Sequence, residues 1–144
     1  MSPALRSHFA DYAAFHATPG NRACHYAGIP LIVFTLIALL TRAPVANLGG
    51  FTVTLAEVIV AVVTVWYLTL DAPLALAMLA ASSTFAIVGR GVPTLFCLGL
   101  FVLGWVLQFI GHYVYEKKSP AFYKNLVHLL VGPLLIVAKA TGRE

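Results

Sequence analysis

Charge is what this sequence has least of. Nine Lys/Arg and five Asp/Glu make up 10% of 144 residues, against about 25% in a typical soluble domain. So few charges cannot cover a water-facing exterior. With 60% of the residues hydrophobic, the composition reads as an integral membrane protein, and the length suits a single domain, residues 1–144. Cysteine is equally scarce. Cys24 and Cys97 stand far apart and form no CxxC, which argues against a disulfide framework or a thiolate zinc site. The basic residues form no stripe that nucleic acid would follow; they sit at the ends of apolar runs, where lipid headgroups lie. No HExxH, GxSxG or P-loop pattern occurs. Nor is there an internal repeat, a low-complexity tract or a signal-peptide core.

What is there is a series of apolar helices with clear punctuation. Ser2-Pro3 is an N-cap followed by proline at the first helical position. Leu5, Phe9, Tyr12 and His16 then recur on one helical face. This predicts an amphipathic interfacial helix over about 2–16. Thr18-Pro19 repeats the capping device before a span over about 26–41. NLGG at 47–50 reads as a loop. Spans are expected over about 52–70, 73–89 and 92–112, each near the ~20 residues that cross a bilayer. Ser119-Pro120 opens a C-terminal interfacial helix over about 120–139, which Gly132-Pro133 should kink or split. The expected fold is an all-α polytopic membrane bundle with about four transmembrane helices flanked by two interfacial ones.

Four crossings return the chain to the side on which it started. That side carries Arg6, Arg22, Lys117, Lys118, Lys124, Lys139 and Arg143, and the other only Arg42 and Arg90. The bias places both termini in the cytoplasm. Low charge and abundant alanine suggest a bacterial inner membrane, or the endoplasmic reticulum if the source is eukaryotic.

The five histidines are His8, His16, His25, His112 and His128, and none falls in the middle of a span. His16 and His25 precede the first span and His112 ends the fourth, so all three converge on one face. Gln108, His112 and Glu116 are spaced by four and share a helical stripe, as do Asn21 and His25. Neutral imidazoles beside amide and carboxylate groups suit Fe(II), Zn(II) or Mn(II). Without cysteine ligands, non-haem iron or zinc is favoured. His8 lies off the buried stripe and reads as a plain interfacial residue, and His128 is a further candidate ligand. Glu57 has two readings, a functional acid within a span or a residue reaching the outer interface. Trp66, Tyr67 and Trp105 read as packing or interface anchors. Five histidines are too few for the eight-histidine di-iron membrane hydroxylases.

Two motifs carry a resemblance. One is H-x2-P-x-N-x3-H-x2-G-x-P, formed by His16, Pro19, Asn21, His25, Gly28 and Pro30. The other is Q-F-I-G-H-x3-E-x3-P-A with a following N-L and G-P, from Gln108, His112, Glu116 and Pro120 to Asn125-Leu126 and Gly132-Pro133. Together they resemble the small membrane family of fungal 2-hydroxy fatty acid dioxygenases, formerly a domain of unknown function, which acts in phytosphingosine breakdown. The resemblance implies an Fe2+-dependent enzyme of fatty acid α-oxidation that uses O2 to shorten a 2-hydroxy fatty acid by one carbon. By the same resemblance His16, His25 and His112 are the iron ligands. Asn21 and Glu116 take catalytic positions, Glu116 either binding the metal or holding a ligand. Three imidazoles leave iron with open positions for the hydroxyl and carboxylate oxygens of the substrate. The acyl tail would lie between the spans, and Arg22 or Lys117 would attract the carboxylate.

Two other classes make different demands. A non-catalytic lipid-binding or transport protein with an incidental histidine site calls for polar residues along a membrane pathway, and this chain has almost none. A bis-histidine haem protein calls for histidines facing each other at membrane depth, whereas these lie at the edge.

Overall fold

The computed structural model describes residues 1–143. Its helices are α1 (Pro3–Ala14), α2 (Pro19–Leu40), α3 (Leu55–Leu70), α4 (Ala72–Gly89), α5 (Thr94–Phe109) and α6 (His128–Ala140). A two-stranded antiparallel hairpin, β1 (Pro44–Leu48) and β2 (Phe51–Thr54), lies between α2 and α3. A π-helical segment (Ile110–Glu116) continues α5, and a 3-10 turn (Ala121–Tyr123) precedes α6. The all-helical membrane bundle expected from the sequence is the architecture observed, with this hairpin as its small β component.

Helix starts follow the capping residues. The Ser2 side chain accepts from the Leu5 amide at 3.2 Å, and Thr18 accepts from the Asn21 amide at 3.3 Å. Asp71 accepts from the Leu74 amide at 3.1 Å. Each offsets one of the amides that a helix N-terminus leaves without a partner.

Among the described residues, three helices are long and apolar enough to cross a membrane: Pro19–Leu40, Ala72–Gly89 and the continuous Thr94–Glu116. The expected span over 52–70 is shorter. Residues 51–54 pair with β1 instead, leaving α3 with 16 residues, about 24 Å of helix. The loop expected at 47–50 is the hairpin turn itself. Gly49 and Gly50 sit at φ 58° and 90°, the positive values that a tight two-residue hairpin turn requires. Glu57 belongs to this end as well. Its carboxylate accepts from the Thr54 amide at 2.7 Å, closing a capping box, and pairs with Arg90 at 2.7 Å. Arg42 crosses to the carbonyls of Gly89, at 2.8 Å, and Val92. The hairpin, the end of α2 and the α4–α5 turn are thereby fastened at one end of the bundle.

At the other end α1 lays its apolar stripe into the bundle. Leu5, Phe9 and Tyr12 pack with Tyr67, Leu70 and Leu74 and with Val131 and Leu134. The C-terminal helix starts at His128, not near 120, because Ser119-Pro120 leads only into the 3-10 turn. Pro133 lies inside α6 without splitting it. Gly28 of α2 and Gly104 of α5 let their backbones meet. A Cβ on Gly28 would lie 2.9 Å from the Gly104 carbonyl oxygen, so small residues permit this close helix contact.

Candidate metal centre

His16 sits in the connection between α1 and α2, His25 on the second turn of α2, and His112 on the π-helical segment. All three side chains are buried. Their ring centroids are 4.4 Å (His16–His25), 4.9 Å (His16–His112) and 4.8 Å (His25–His112) apart, with the rings edge-on to one another. Each offers one nitrogen, and the three nitrogens lie within 4.8 Å of one another.

Backbone carbonyls assign two of the tautomers. His16 Nδ1 lies 2.6 Å from the Tyr12 carbonyl, and His25 Nδ1 lies 2.9 Å from the Asn21 carbonyl. A carbonyl only accepts, so both Nδ1 atoms carry the proton and both Nε2 atoms keep a lone pair. His112 Nδ1 is buried with no hydrogen-bond partner in the protein. Burial pushes the pKa of His16 from the usual 6.5 to about 4, against the upward pull of its bond to Tyr12; near neutral pH the ring is uncharged. Three neutral, buried imidazoles are a donor set that fits a divalent metal such as Fe(II) or Zn(II).

Glu116 holds the frame together. Its Oε1 accepts from the Ala17 amide at 3.1 Å. Its Oε2 accepts from the Thr18 amide, the Thr18 hydroxyl and Asn21 Nδ2, each at 3.0 Å. With four donors from residues 17–21 on its two oxygens, the Glu116 carboxylate is fastened to the start of α2. Asn21 Nδ2 also donates to the Phe15 carbonyl at 3.1 Å. The two residues thus tie the His16 loop, the His25 helix and the His112 segment into one block. The π-helical turns supply the third part of it, and such wide turns recur at functional sites.

His128 stands apart from the three. Its Nε2 lies 2.7 Å from Asp11 Oδ2, and its ring is 5.8 Å from the Tyr12 ring. His8 lies farther out, 6.1 Å from Trp66 between ring centroids. Arg22 turns back on its own loop, with Nη1 donating to the Ala17 carbonyl at 2.6 Å. Lys117 adopts a left-handed conformation, φ 54°, at the end of the π-helical segment.

The cluster opens into a cavity of about 340 Å³ between α2, α3, α5 and α6. His16, His25, His112 and His128 line its head. Ile29, Val33 and Leu36 of α2, Val60 of α3 and Trp105 of α5 are among the apolar residues along its walls. Residue spacing placed Asn21 and His25 on one face of α2 but did not show that the helix lines a cavity. Tyr12 was legible only as a core residue. In the fold its ring stacks on His16 at 3.9 Å and 7° while its carbonyl orients the same imidazole.

A helical membrane protein whose distant segments bring three imidazoles to the head of an apolar cavity is the class that fold and site define. Comparison with known proteins refines it: the chain belongs to the family described as 2-hydroxy-palmitic acid dioxygenase Mpo1-like, whose model matches residues 3–144. It is 33% identical over 131 residues to the 2-hydroxy-palmitic acid dioxygenase MPO1 of Saccharomyces cerevisiae, covering 88% of this chain and 73% of the yeast protein. No solved structure matches significantly.

Proposed function

We propose that this protein is a membrane dioxygenase that uses O2 to shorten 2-hydroxy fatty acids by one carbon, with Fe(II) held by His16, His25 and His112. The observation that carries the reading is the buried trio of uncharged imidazoles at the head of an apolar cavity. The similarity to the yeast dioxygenase over most of both chains supports the reaction class. When bound, the iron supplies the redox chemistry that couples O2 to cleavage of the C1–C2 bond.

The remaining work falls to the chain itself. The Tyr12 and Asn21 carbonyls hold His16 and His25 in the tautomer that points a lone pair away from the backbone. Asn21 and Glu116 act as positioning residues, fixing the three ligands relative to one another. The cavity walls take the acyl chain and exclude water from it, leaving the carboxylate and the 2-hydroxyl at the histidine end. Arg22, at the same end, favours an anionic head. Residues 1–144 act as one membrane domain. The excess of lysine and arginine at the histidine end supports a topology with that end, and both termini, on the cytoplasmic side.

The test is anaerobic reconstitution of the purified protein with Fe(II), followed by O2 and 2-hydroxypalmitic acid. A fatty acid product one carbon shorter is expected. His16→Ala, His25→Ala and His112→Ala should each lose bound iron and turnover together, whereas His8→Ala should keep both. Iron retained in all three histidine variants would overturn the ligand assignment. Intact substrate after reaction with the iron-loaded wild type would overturn the activity.

A further inference from the structure

His128 is buried, with its side chain 4% exposed, yet it is paired with Asp11, whose side chain is 52% exposed. Their 2.7 Å contact joins the first residue of α6 to α1. An ionised carboxylate only accepts, so Nε2 carries a proton, and a singly protonated ring then has its lone pair on Nδ1. That Nδ1 is buried and makes no hydrogen bond within the protein. The ring also lines the cavity headed by His16, His25 and His112. A pair serving only to fasten α1 to α6 would not need a bare nitrogen on a cavity wall.

From this geometry we propose that His128 is a catalytic base rather than a metal ligand, with Asp11 as its partner and its link to solvent. The proposal rests on the 2-hydroxy acid reading given above. In the step assigned to it, the O–H bond of the substrate's 2-hydroxyl breaks and an N–H bond forms at His128 Nδ1. The electron pair stays on the substrate oxygen, and the ring becomes an imidazolium paired with the Asp11 carboxylate. Because Asp11 is half exposed, the proton has a route from the buried ring to water. The same Asp–His logic orients and stabilises the base in other enzymes.

The variant of choice is His128→Gln, whose amide retains a donor toward Asp11 but offers no base. The iron-loaded variant should bind metal and unfold as the wild type does, keep a similar KM, and turn over about 100-fold or more slowly. Added imidazole should restore part of the rate. Asp11→Asn should slow turnover as well, because an amide can hold the opposite tautomer. Undiminished turnover in His128→Gln would overturn the proposal, and so would loss of iron from it, which would make His128 a ligand.

A second arm does not depend on turnover. In zinc-loaded protein carrying ¹⁵N-labelled histidine, the resonances absent from His128→Gln should show Nε2 protonated and Nδ1 bare. Adding 2-hydroxypalmitic acid should shift Nδ1 toward its protonated position, and palmitic acid should not. An Nδ1 that already carries the proton, or that ignores the hydroxy acid, would overturn the proposal even in a protein without the proposed activity. A wild type inactive toward the hydroxy acid but responsive in this arm would sink the reaction while leaving His128 as a proton acceptor.

Discussion

Asn21 and Glu116 stand 95 positions apart, and the amide Nδ2 of the first donates to Oε2 of the second at 3.0 Å. This bond and the three others on Glu116 join the two ends of the chain around the histidines. None of the three imidazole positions is set by a single element, so their spacing depends on the carboxylate that joins those elements.

Glu116→Gln therefore tests the frame. An amide offers one acceptor oxygen where the carboxylate offers two, and its NH2 would face an amide N–H. Charged hydrogen bonds of this kind contribute about 1.5–3 kcal/mol each, so the variant should unfold at lower temperature in detergent. Its affinity for Fe(II) or Zn(II) should fall about 10- to 100-fold. Wild-type metal affinity in Glu116→Gln would show that the histidines need no such clamp.

Space beside the histidines is equally tight at Gly111. A Cβ built there would lie 2.5 Å from Asn21 Oδ1 and 3.2 Å from His25 Cε1. Gly111→Ala should cost about 1–3 kcal/mol as overpacking and weaken metal binding in parallel. Gly99, in α5, would place its Cβ in open space. Gly99→Ala should leave metal binding alone and match or slightly exceed wild-type stability, since alanine is the better helix former by up to about 1 kcal/mol. Equal behaviour of the two variants would contradict the packing argument.

The proposed function predicts that the α2 wall of the cavity governs chain-length preference. Val33 lines the cavity two turns beyond His25, about 12 Å along the helix. Val33→Phe should shorten the space available to the acyl tail. We expect kcat/KM for long-chain 2-hydroxy acids to fall about tenfold or more, in line with the 1–3 kcal/mol that a filled pocket withholds. Short-chain substrates should be little affected. A uniform loss across chain lengths would mean that the tail does not run past Val33.

The α3–α4 turn has an acid sensitivity of its own. Asp71 caps α4 through the Leu74 amide and pairs with the N-terminal ammonium at 3.0 Å and with Arg143 at 3.7 Å. Burial pushes its pKa up, but these hydrogen bonds and charges outweigh burial and hold it below the usual 3.8. The contribution is therefore present above about pH 3.8 and is lost as the pH falls through the lower folded value. Asp71→Asn keeps a capping oxygen and should remove this part of the acid response, seen as a flatter dependence of unfolding temperature on pH. Asp71→Ala should cost about 1 kcal/mol at neutral pH for the cap alone. An Asp71→Asn curve parallel to wild type would discard the pairing.

Local chemistry was the legible part of this sequence. Thr18-Pro19 marked the start of α2, and the Leu5–Phe9–Tyr12–His16 spacing marked the buried face of α1, because caps and periodicity act within a few residues. The meeting of His16, His25 and His112 followed from counting crossings. The hairpin was missed although Gly49-Gly50 followed by Phe51-Thr52-Val53-Thr54 signals one; the apolar run beyond it reads as a single span. Thr54-x-x-Glu57 was likewise a capping box in plain view, obscured by the cost attached to an acid within a span. The His128–Asp11 pair had no local signal at all. It joins α6 to α1 through tertiary packing, and only the assembled bundle places those residues side by side.

The β1–β2 hairpin has a consequence for how deeply the whole molecule rides in its lipid. A two-stranded ribbon leaves outward-facing amides and carbonyls that hydrocarbon cannot solvate, so it must float where water reaches, even with Val45, Leu48 and Phe51 turned outward. From the last turn of α2 down to His25 is about 22 Å of helix, somewhat less than the ~30 Å thickness of the oily layer. With one end held at the surface by the ribbon, the imidazoles would sit in the half of the layer nearer the opposite boundary. A fatty acid of the proposed kind would present its head there without its tail leaving the oil.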